Sequence, residues 1–374
     1  MTTSDIIIIG SGPGGYRAAA YAAANGLSVT IFEESHAGGT CLNCGCIPTK
    51  TLCRNAEVVD TLKKGETFGI DGLSYQLNFG QMISRKNQVV ETLRNGVETL
   101  LSAPGITLVR QKAHFIDNKT VAAGDETYTA PHIIIATGSK SKMLPVPGID
   151  KPIVMTSTEL LDIQAVPQRL CIVGAGVIGM EFASIFSSLG SEVTVVEFLK
   201  ECLPALDSDV AKRLRQTLGK RGVNFLMQSG VKEVTDTGVI YDRKGKEGAV
   251  EADVVLIATG RAARTDGLDL EKAGVAYDRN GITTDEHLRT NVPGIYAIGD
   301  VNGRMMLAHA ATFQGLHVIN HILGKTDNIR LDLIPAAIFT HPEAACVGMT
   351  EDQCKAAGIN YTCRKGYYRA NGKA

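Results

Sequence analysis

The chain has 374 residues, 44% hydrophobic and 21% charged, with 40 glycines and a formal net charge of −1. That length exceeds one ordinary core and predicts two or three domains. The near-balanced charge, with no basic tract, excludes nucleic acid and anionic membranes as partners. No apolar run approaches the ~18 residues of a membrane span and no basic leader precedes the first strand, so a cytoplasmic protein is expected. Most of its nine cysteines should then be free core thiols.

Asp5-Ile-Ile-Ile-Ile9 is a short β-branched run, read as a buried parallel strand. Gly10-Ser-Gly12-Pro-Gly14-Gly15 follows, then an alanine-rich helix to Ala24 closed by Asn25-Gly26, and a second strand from Leu27 to Phe32. Glu33 stands eighteen residues past Gly15. Together these form a βαβ dinucleotide fingerprint. Gly10 makes the tight turn, Gly12 lets the backbone approach a pyrophosphate at the helix N-terminus, Gly15 lets helix and strand pack closely, and Glu33 accepts from ribose hydroxyls.

The next stretch, Gly38-Gly-Thr-Cys41-Leu-Asn-Cys44-Gly-Cys46-Ile-Pro-Thr-Lys50, puts three cysteines into six positions. A redox-active thiolate needs this kind of setting, a backbone that bends beside a cation or a helix end. Cys41 and Cys44 have the C-x-x-C spacing of dithiol oxidoreductases, whereas Cys41 and Cys46 are five positions apart. Five residues of regular helix rise ~7.5 Å, beyond the ~4.4–6.8 Å Cα separation of a disulfide. A Cys41–Cys46 bridge therefore requires a distorted turn, which Gly38, Gly39 and Gly45 permit. Spacing leaves both pairings open. A zinc site on the three thiols would lack a fourth ligand close in sequence.

Ile133-Ile-Ile-Ala-Thr137-Gly138-Ser139 is a buried strand returning from this unit, and Pro145-Val-Pro147-Gly148 marks the first domain boundary. The pattern then repeats. Arg169 to Val173 is a strand, Gly174-Ala-Gly176-Val177-Ile178-Gly179 the turn, Met180 to Leu189 the helix, and Ser191 to Val196 the next strand. Glu197 again stands eighteen residues past the third glycine. Two complete fingerprints predict two dinucleotide sites, and a carboxylate at Glu197 suits the 2′-hydroxyl of NAD while repelling the 2′-phosphate of NADP. Val254 to Arg261 repeats the Ala-Thr-Gly strand ending, at Gly260.

A third such strand runs from Gly294 to Gly299-Asp300, ahead of a helix expected to start near Leu307. Asp300 is read either as the cap of that helix or as a carboxylate meeting a cofactor hydroxyl. His309, His317 and His321 share helical spacing but lack acidic or cysteine companions, so no metal site is expected. Cys171 is read as a core thiol. Pro335 to Thr340, followed by His341-Pro342-Glu343, opens a last segment of two or three elements.

The cysteine tract, set between one fingerprint and a second and ahead of Gly299-Asp300, resembles the FAD-dependent pyridine nucleotide–disulfide oxidoreductases over nearly the whole chain. The resemblance implies an α/β fold of two Rossmann-like domains with the start of a truncated α+β interface, or dimerisation, domain. It implies a division into residues 1–147 (FAD-binding, with the redox disulfide), 148–269 (NAD-binding), 270–334 (the second part of the FAD-binding and central domain) and 335–374 (interface). It also implies that the active disulfide is Cys41–Cys46, with Lys50 paired to Glu181 beside the flavin, where a cation favours a reduced flavin anion.

On the same resemblance, Gly10, Gly12, Gly14, Gly15, Glu33, Gly39, Thr40, Lys50, Ala113, Thr137, Gly138, Ser139, Asp300, Met306, Leu307, Ala308 and His309 would contact FAD. Gly174, Gly176, Val177, Ile178, Gly179, Glu181, Glu197, Val231 and Gly260 would line the NAD site. The implied activity is oxidation of protein-bound dihydrolipoamide with reduction of NAD⁺. A dihydrolipoyl thiolate attacks Cys41, Cys46 holds the resulting thiolate nearer the flavin, and the flavin reduces NAD⁺. The implied partners are the lipoyl domains of 2-oxoacid dehydrogenase acyltransferases or a glycine-cleavage lipoyl carrier, with a homodimer for the complete protein.

Three departures accompany the resemblance. Cys44 replaces a small apolar residue, and the run after His309, Ala-Ala-Thr-Phe-Gln-Gly315, is less acidic than usual. The family's late His-Pro-x-x-x-x-Glu base is not in the sequence, whose His341-Pro342-Glu343 belongs to an earlier motif. The alternatives are another disulfide or mercuric reductase, which Glu197 disfavours where NADP is the cofactor, and a non-catalytic FAD-binding fragment.

Overall fold

The computed structural model describes residues 1–372. Its main elements in chain order begin with β1 (Ile6–Ile9), α1 (Pro13–Ala24), β2 (Val29–Phe32), α2 (Gly39–Cys44), α3 (Cys46–Lys63), α4 (Phe79–Leu101), β3 (Ile106–Val109) and β4 (His132–Ile135). There follow β5 (Val154–Met155), α5 (Ser157–Leu160), β6 (Arg169–Val173), α6 (Val177–Leu189), β7 (Glu192–Glu197), α7 (Ser208–Lys220), β8 (Asn224–Met227) and β9 (Val254–Ile257). Last come β10 (Ile295–Ala297) and α8 (Ala308–Ile322).

Two five-stranded parallel sheets organise these elements, in the orders β10-β4-β1-β2-β3 and β5-β9-β6-β7-β8. The apolar runs at their centres are explained by cover on both faces. In β1, Ile6 and Ile8 pack toward α1, α4 and α8, while Ile7 and Ile9 pack against Phe115, Val121 and Tyr128 of the antiparallel hairpin strands behind. The second sheet repeats this alternation. Leu170 and Ile172 face Met180 and Phe182 of α6, while Cys171 and Val173 face Val234 and Val239. Cys171 is a core thiol as expected, wholly buried, and burial pushes its pKa up to about 12.

The α/β class and both βαβ units agree with the sequence reading, and the differences lie at element ends. The strand expected from Leu27 begins at Val29, because Leu27 and Ser28 still belong to the turn leaving α1. The helix expected from Met180 begins at Val177, since Gly176 already has the extended backbone of an N-cap. Asp300 does not cap α8. It sits in a 3₁₀ turn, Gly299–Asn302, while Leu307 holds the cap position.

The first sheet is completed from far down the chain. After the second sheet, β10 pairs in parallel with β4, and α8 lies on α1 at close range. A side chain at Gly315 would come within 2.9 Å of the Gly14 carbonyl oxygen, so small residues on both helices set their spacing. The last described segment places Ala336–Ile338 antiparallel to Ala344–Cys346 and adds a helix, Glu351–Ala356. It docks on the second unit, where the Phe339 and His341 backbone N–H groups donate to Glu181 and Ser184 of α6.

Candidate active site

The glycines of each fingerprint divide into two kinds. In the first unit a Cβ at Gly10, where φ is +105°, would sit 2.4 Å from the Ala136 carbonyl oxygen, and one at Gly15 would sit 1.9 Å from the Gly10 oxygen. Gly174 and Gly179 repeat this at 2.5 Å from Ala258 and 2.0 Å from Gly174. These four are demanded by the protein's own packing. The middle glycines are not: Gly176 has nothing within 4 Å, and Gly12 only the Gly39 Cα at 3.9 Å. Space held open at a helix N-terminus, where backbone N–H groups converge, fits a dinucleotide pyrophosphate.

The acids that end the second strands are held identically. Glu33 accepts from the Ser11 N–H (3.2 Å) and the Ser35 N–H (3.0 Å), and Glu197 from the Ala175 N–H (2.5 Å) and the Leu199 N–H (2.7 Å). Both carboxylates are thereby fixed at the rim of their cradle, with lone pairs left for ribose hydroxyls.

The two cradles open onto one cavity of about 1900 Å³. That exceeds the ~300–1,000 Å³ of a single small-ligand pocket, so the cavity has room for more than one ligand. Gly10, Gly12, Gly14, Glu33, Gly39, Thr40, Ala113, Thr137, Gly138, Ser139, Asp300 and Met306 to His309 line it from the first unit. Gly174, Gly176, Val177, Ile178, Glu181, Glu197, Val231 and Gly260 line it from the second. Gly15 and Gly179 lie beneath the loops and act through packing.

Between the cradles stand the thiols. α2 carries Cys41 and Cys44, the backbone breaks at Gly45 (φ −144°, ψ −112°), and α3 starts at Cys46. This is the distorted turn that a five-residue spacing requires. It brings the Cys41 and Cys46 side chains close enough to act on each other's ionisation. The Cys41 thiol, aided by the Lys50 ammonium, brings the Cys46 pKa down to about 7. The same interaction, with burial, drives that of Cys41 far up. The pKa of Cys44 is raised by its own burial, and Thr158 of α5 lies beside it. It is Cys41 and Cys46 that interact with each other, while Cys44 meets other groups.

Lys50, one turn into α3, meets Glu181 of α6 with Nζ 2.8 Å from both carboxylate oxygens. The Glu181 side chain is 4% exposed, so the pair is sealed on the acid's side and open to the cavity on the lysine's. An ion pair this buried is costly unless its remaining valences are filled. The Phe339 N–H donates to Glu181 at 3.0 Å, and the Phe339 ring lies 4.8 Å from Nζ.

Sequence reasoning missed Phe339, and it missed Arg261. The Arg261 guanidinium donates to the Ser139 hydroxyl (2.6 Å) and carbonyl (2.8 Å), and Ser139 in turn donates to Asp300 at 2.5 Å. Of the two readings of Asp300, the structure keeps the carboxylate facing the cavity. The histidines also needed correction. His317 has an acidic companion after all, Asp327 at 3.1 Å, and the His287 ring stacks between those of His317 and His321. No group able to hold a metal ion occurs among the described residues.

Comparison with known proteins agrees with this layout. Residues 4–315 match the pyridine nucleotide-disulphide oxidoreductase family, and residues 334–374 match the dimerisation domain of the same family. The dihydrolipoyl dehydrogenase of Bacillus subtilis strain 168 is 39% identical over 377 residues, covering 99% of this chain and 82% of that protein. That of Acholeplasma laidlawii is 43% identical over 325 residues, 85% of this chain and 96% of its own. Among solved structures, the HOCl-induced flavoprotein disulfide reductase RclA of Escherichia coli superposes with a TM-score of 0.83 at 33% identity, covering 95% of this chain and 80% of RclA. With its two cradles, its paired thiols and these relatives, the chain belongs to the pyridine nucleotide-disulphide oxidoreductases.

Proposed function

We propose that this chain acts as an NAD-linked dihydrolipoyl dehydrogenase, oxidising protein-bound dihydrolipoamide through a Cys41–Cys46 disulfide. The observation that carries the reading is the placement of Cys41 and Cys46, on either side of the helix break at Gly45 and beside Lys50, between two open dinucleotide cradles. FAD and NAD are the cofactors. FAD would rest on Gly10, Gly12, Glu33, Ser139 and Asp300, and NAD on Gly174, Gly176, Glu197 and Gly260. When bound, the flavin supplies the two-electron relay between thiols and nicotinamide.

The protein's own part is thiol–disulfide exchange. A substrate thiolate attacks the Cys41 sulfur, the Cys41–Cys46 bond breaks, and Cys46 leaves as a thiolate that the Lys50 ammonium stabilises. The second substrate thiol, losing its proton, displaces Cys41, which takes up a proton as a thiol. Lipoamide departs with one new S–S bond for the one broken. Cys46 suits the leaving role because a low-pKa thiol leaves faster.

The same reading divides the chain into a FAD-binding unit over 1–147 and 270–334, a NAD-binding unit over 148–269 and an interface segment from 335. The return of β10 to β4 supports that division. The dimerisation-domain match supports a homodimer, and lipoyl domains are the expected protein substrates. No helix among the described residues is long and apolar enough to cross a membrane.

An anaerobic titration with dihydrolipoamide tests the reading. A flavin spectrum that gains a long-wavelength thiolate-to-flavin band supports it, and bleaching without that band removes the disulfide from the pathway. NADH is expected to be favoured over NADPH, since Glu197 is buried at the rim of its cradle and meets a 2′-phosphate with like charge. Glu197→Gln should narrow the preference ~10-fold, read as the ratio of the two kcat/KM values. An unchanged ratio would remove Glu197 as the selector.

A further inference from the structure

We infer that Cys44 is a third redox partner, which exchanges into a Cys41–Cys44 disulfide in the idle oxidised enzyme and leaves Cys46 as a free thiolate. The inference rests on the Cys41–Cys46 pairing proposed above.

Three observations meet here. Cys41 and Cys44 are one turn apart on the same short helix, Gly39–Cys44, and a helical i,i+3 pair lies within the Cα separation that a disulfide spans. Cys44 lines the same cavity as Cys41 and Cys46. Thr158 of α5, Arg261, Glu159 and Asp162 are the polar and charged groups around it. Gly45 gives the junction its freedom. A Cβ there would press on the Thr40 carbonyl oxygen at 2.8 Å, so only glycine lets the helix break between Cys44 and Cys46.

The step needs no external oxidant. Cys44 gives its proton to solvent, its sulfur attacks the Cys41 sulfur, the Cys41–Cys46 bond breaks, and Cys46 leaves as a thiolate beside Lys50. One S–S bond forms as one is lost, and no net electrons move. Cys46 is the better leaving group and is held as a thiolate, so release of Cys46 drives the exchange, while burial, which keeps the Cys44 thiol protonated, slows it. A substrate dithiol that attacks Cys41 displaces Cys44, its second thiol then displaces Cys41, and the enzyme is left in the same reduced state that the productive pair reaches. The exchange therefore gives the idle active site a second oxidised resting state, which substrate clears. Cys44→Ser should leave turnover of fresh enzyme within about twofold of wild type, because Cys44 lies outside the productive pair.

The exchange is read directly by differential alkylation. The oxidised holoenzyme is held without substrate, quenched in acid and denaturant, and labelled with N-ethylmaleimide. It is then reduced and labelled with iodoacetamide, and fragment spectra of the peptide holding all three cysteines locate the maleimide. Maleimide on Cys44 reports Cys41–Cys46, and maleimide on Cys46 reports Cys41–Cys44. The inference predicts that the Cys46 label grows with holding time and falls again after limiting dihydrolipoamide and excess NAD⁺ have been turned over before quenching, which returns the enzyme to Cys41–Cys46. Maleimide confined to Cys44 at all holding times overturns the inference and leaves the proposed function standing. Maleimide on Cys41 from the outset, reporting Cys44–Cys46, overturns the pairing and the proposed function with it.

Discussion

Cys46→Ser is expected to abolish lipoamide turnover, by on the order of 10³-fold or more, while FAD remains bound. The expectation follows from the division of labour between the two thiols. Cys41 has its pKa pushed far up and stays protonated, whereas Cys46 has its pKa brought down, starts α3 and lies beside Lys50. A serine hydroxyl fills nearly the same volume and keeps the helix start, but it forms no disulfide and holds no charge near neutrality. Loss of turnover with an unchanged visible flavin spectrum is the expected pair of results.

The reduced wild-type protein offers a second check on the same assignment. Alkylation of Cys46 by iodoacetamide should rise through a midpoint near pH 7, where its thiolate forms, and Cys41 should react only in far more alkaline solution. Lys50→Met should move the Cys46 midpoint upward, because removing a neighbouring cation disfavours the thiolate. Preferential labelling of Cys41 at neutral pH would reverse the polarity assigned to the pair.

The second large effect separates glycines that serve the fold from glycines that serve a ligand. Gly15→Ala should lower the melting temperature of the apoprotein by ~5 °C or more, since its Cβ would fall 1.9 Å from the Gly10 oxygen and backbone must move. Alanine ordinarily stabilises a helix interior relative to glycine, so the expected change runs against propensity. Gly12→Ala should leave that temperature within ~2 °C, because φ there is −66° and the nearest atom is 3.9 Å away, yet purify without FAD. Gly179→Ala and Gly176→Ala should repeat the contrast for NADH affinity. If Gly12→Ala purified fully loaded with flavin, the first cradle would not be where the pyrophosphate rests.

Much of this was legible in the sequence because the chemistry lies in short, local patterns. A glycine turn after an apolar strand, with an acid eighteen residues on, fixes a βαβ unit without long-range information, and both units were read correctly from Gly10 to Glu33 and from Gly174 to Glu197. Helical rise showed only that a Cys41–Cys46 bridge would need a broken helix between them. It did not choose the disulfide partner, since spacing says which thiols can reach and side-chain placement says which ones meet. Phe339 and Arg261 were invisible for the same reason. Neither has a motif, and each reaches the site only once separate units pack, Phe339 by docking on α6 and Arg261 through the antiparallel pairing of Arg261–Ala263 with Ser139–Ser141. Asp327 as a partner of His317 likewise depends on a loop folding back after α8.

The return of β10 and α8 to the first sheet bears on how the chain is made. As a ribosome delivers residues in order, β4 emerges with the apolar run Ile133-Ile134-Ile135 and no neighbour on its far side, and α1 emerges without its cover. Both wait through the synthesis of the entire second sheet, from Val154 to Ile257, before Ile295 arrives. The second sheet is contiguous in sequence and can close as soon as it is released. The first half made is therefore the last half finished, and it carries a naked strand edge in the interval. Flavin loading should be a late event in biogenesis, and chaperone occupancy should fall on nascent chains between the appearance of β4 and that of α8.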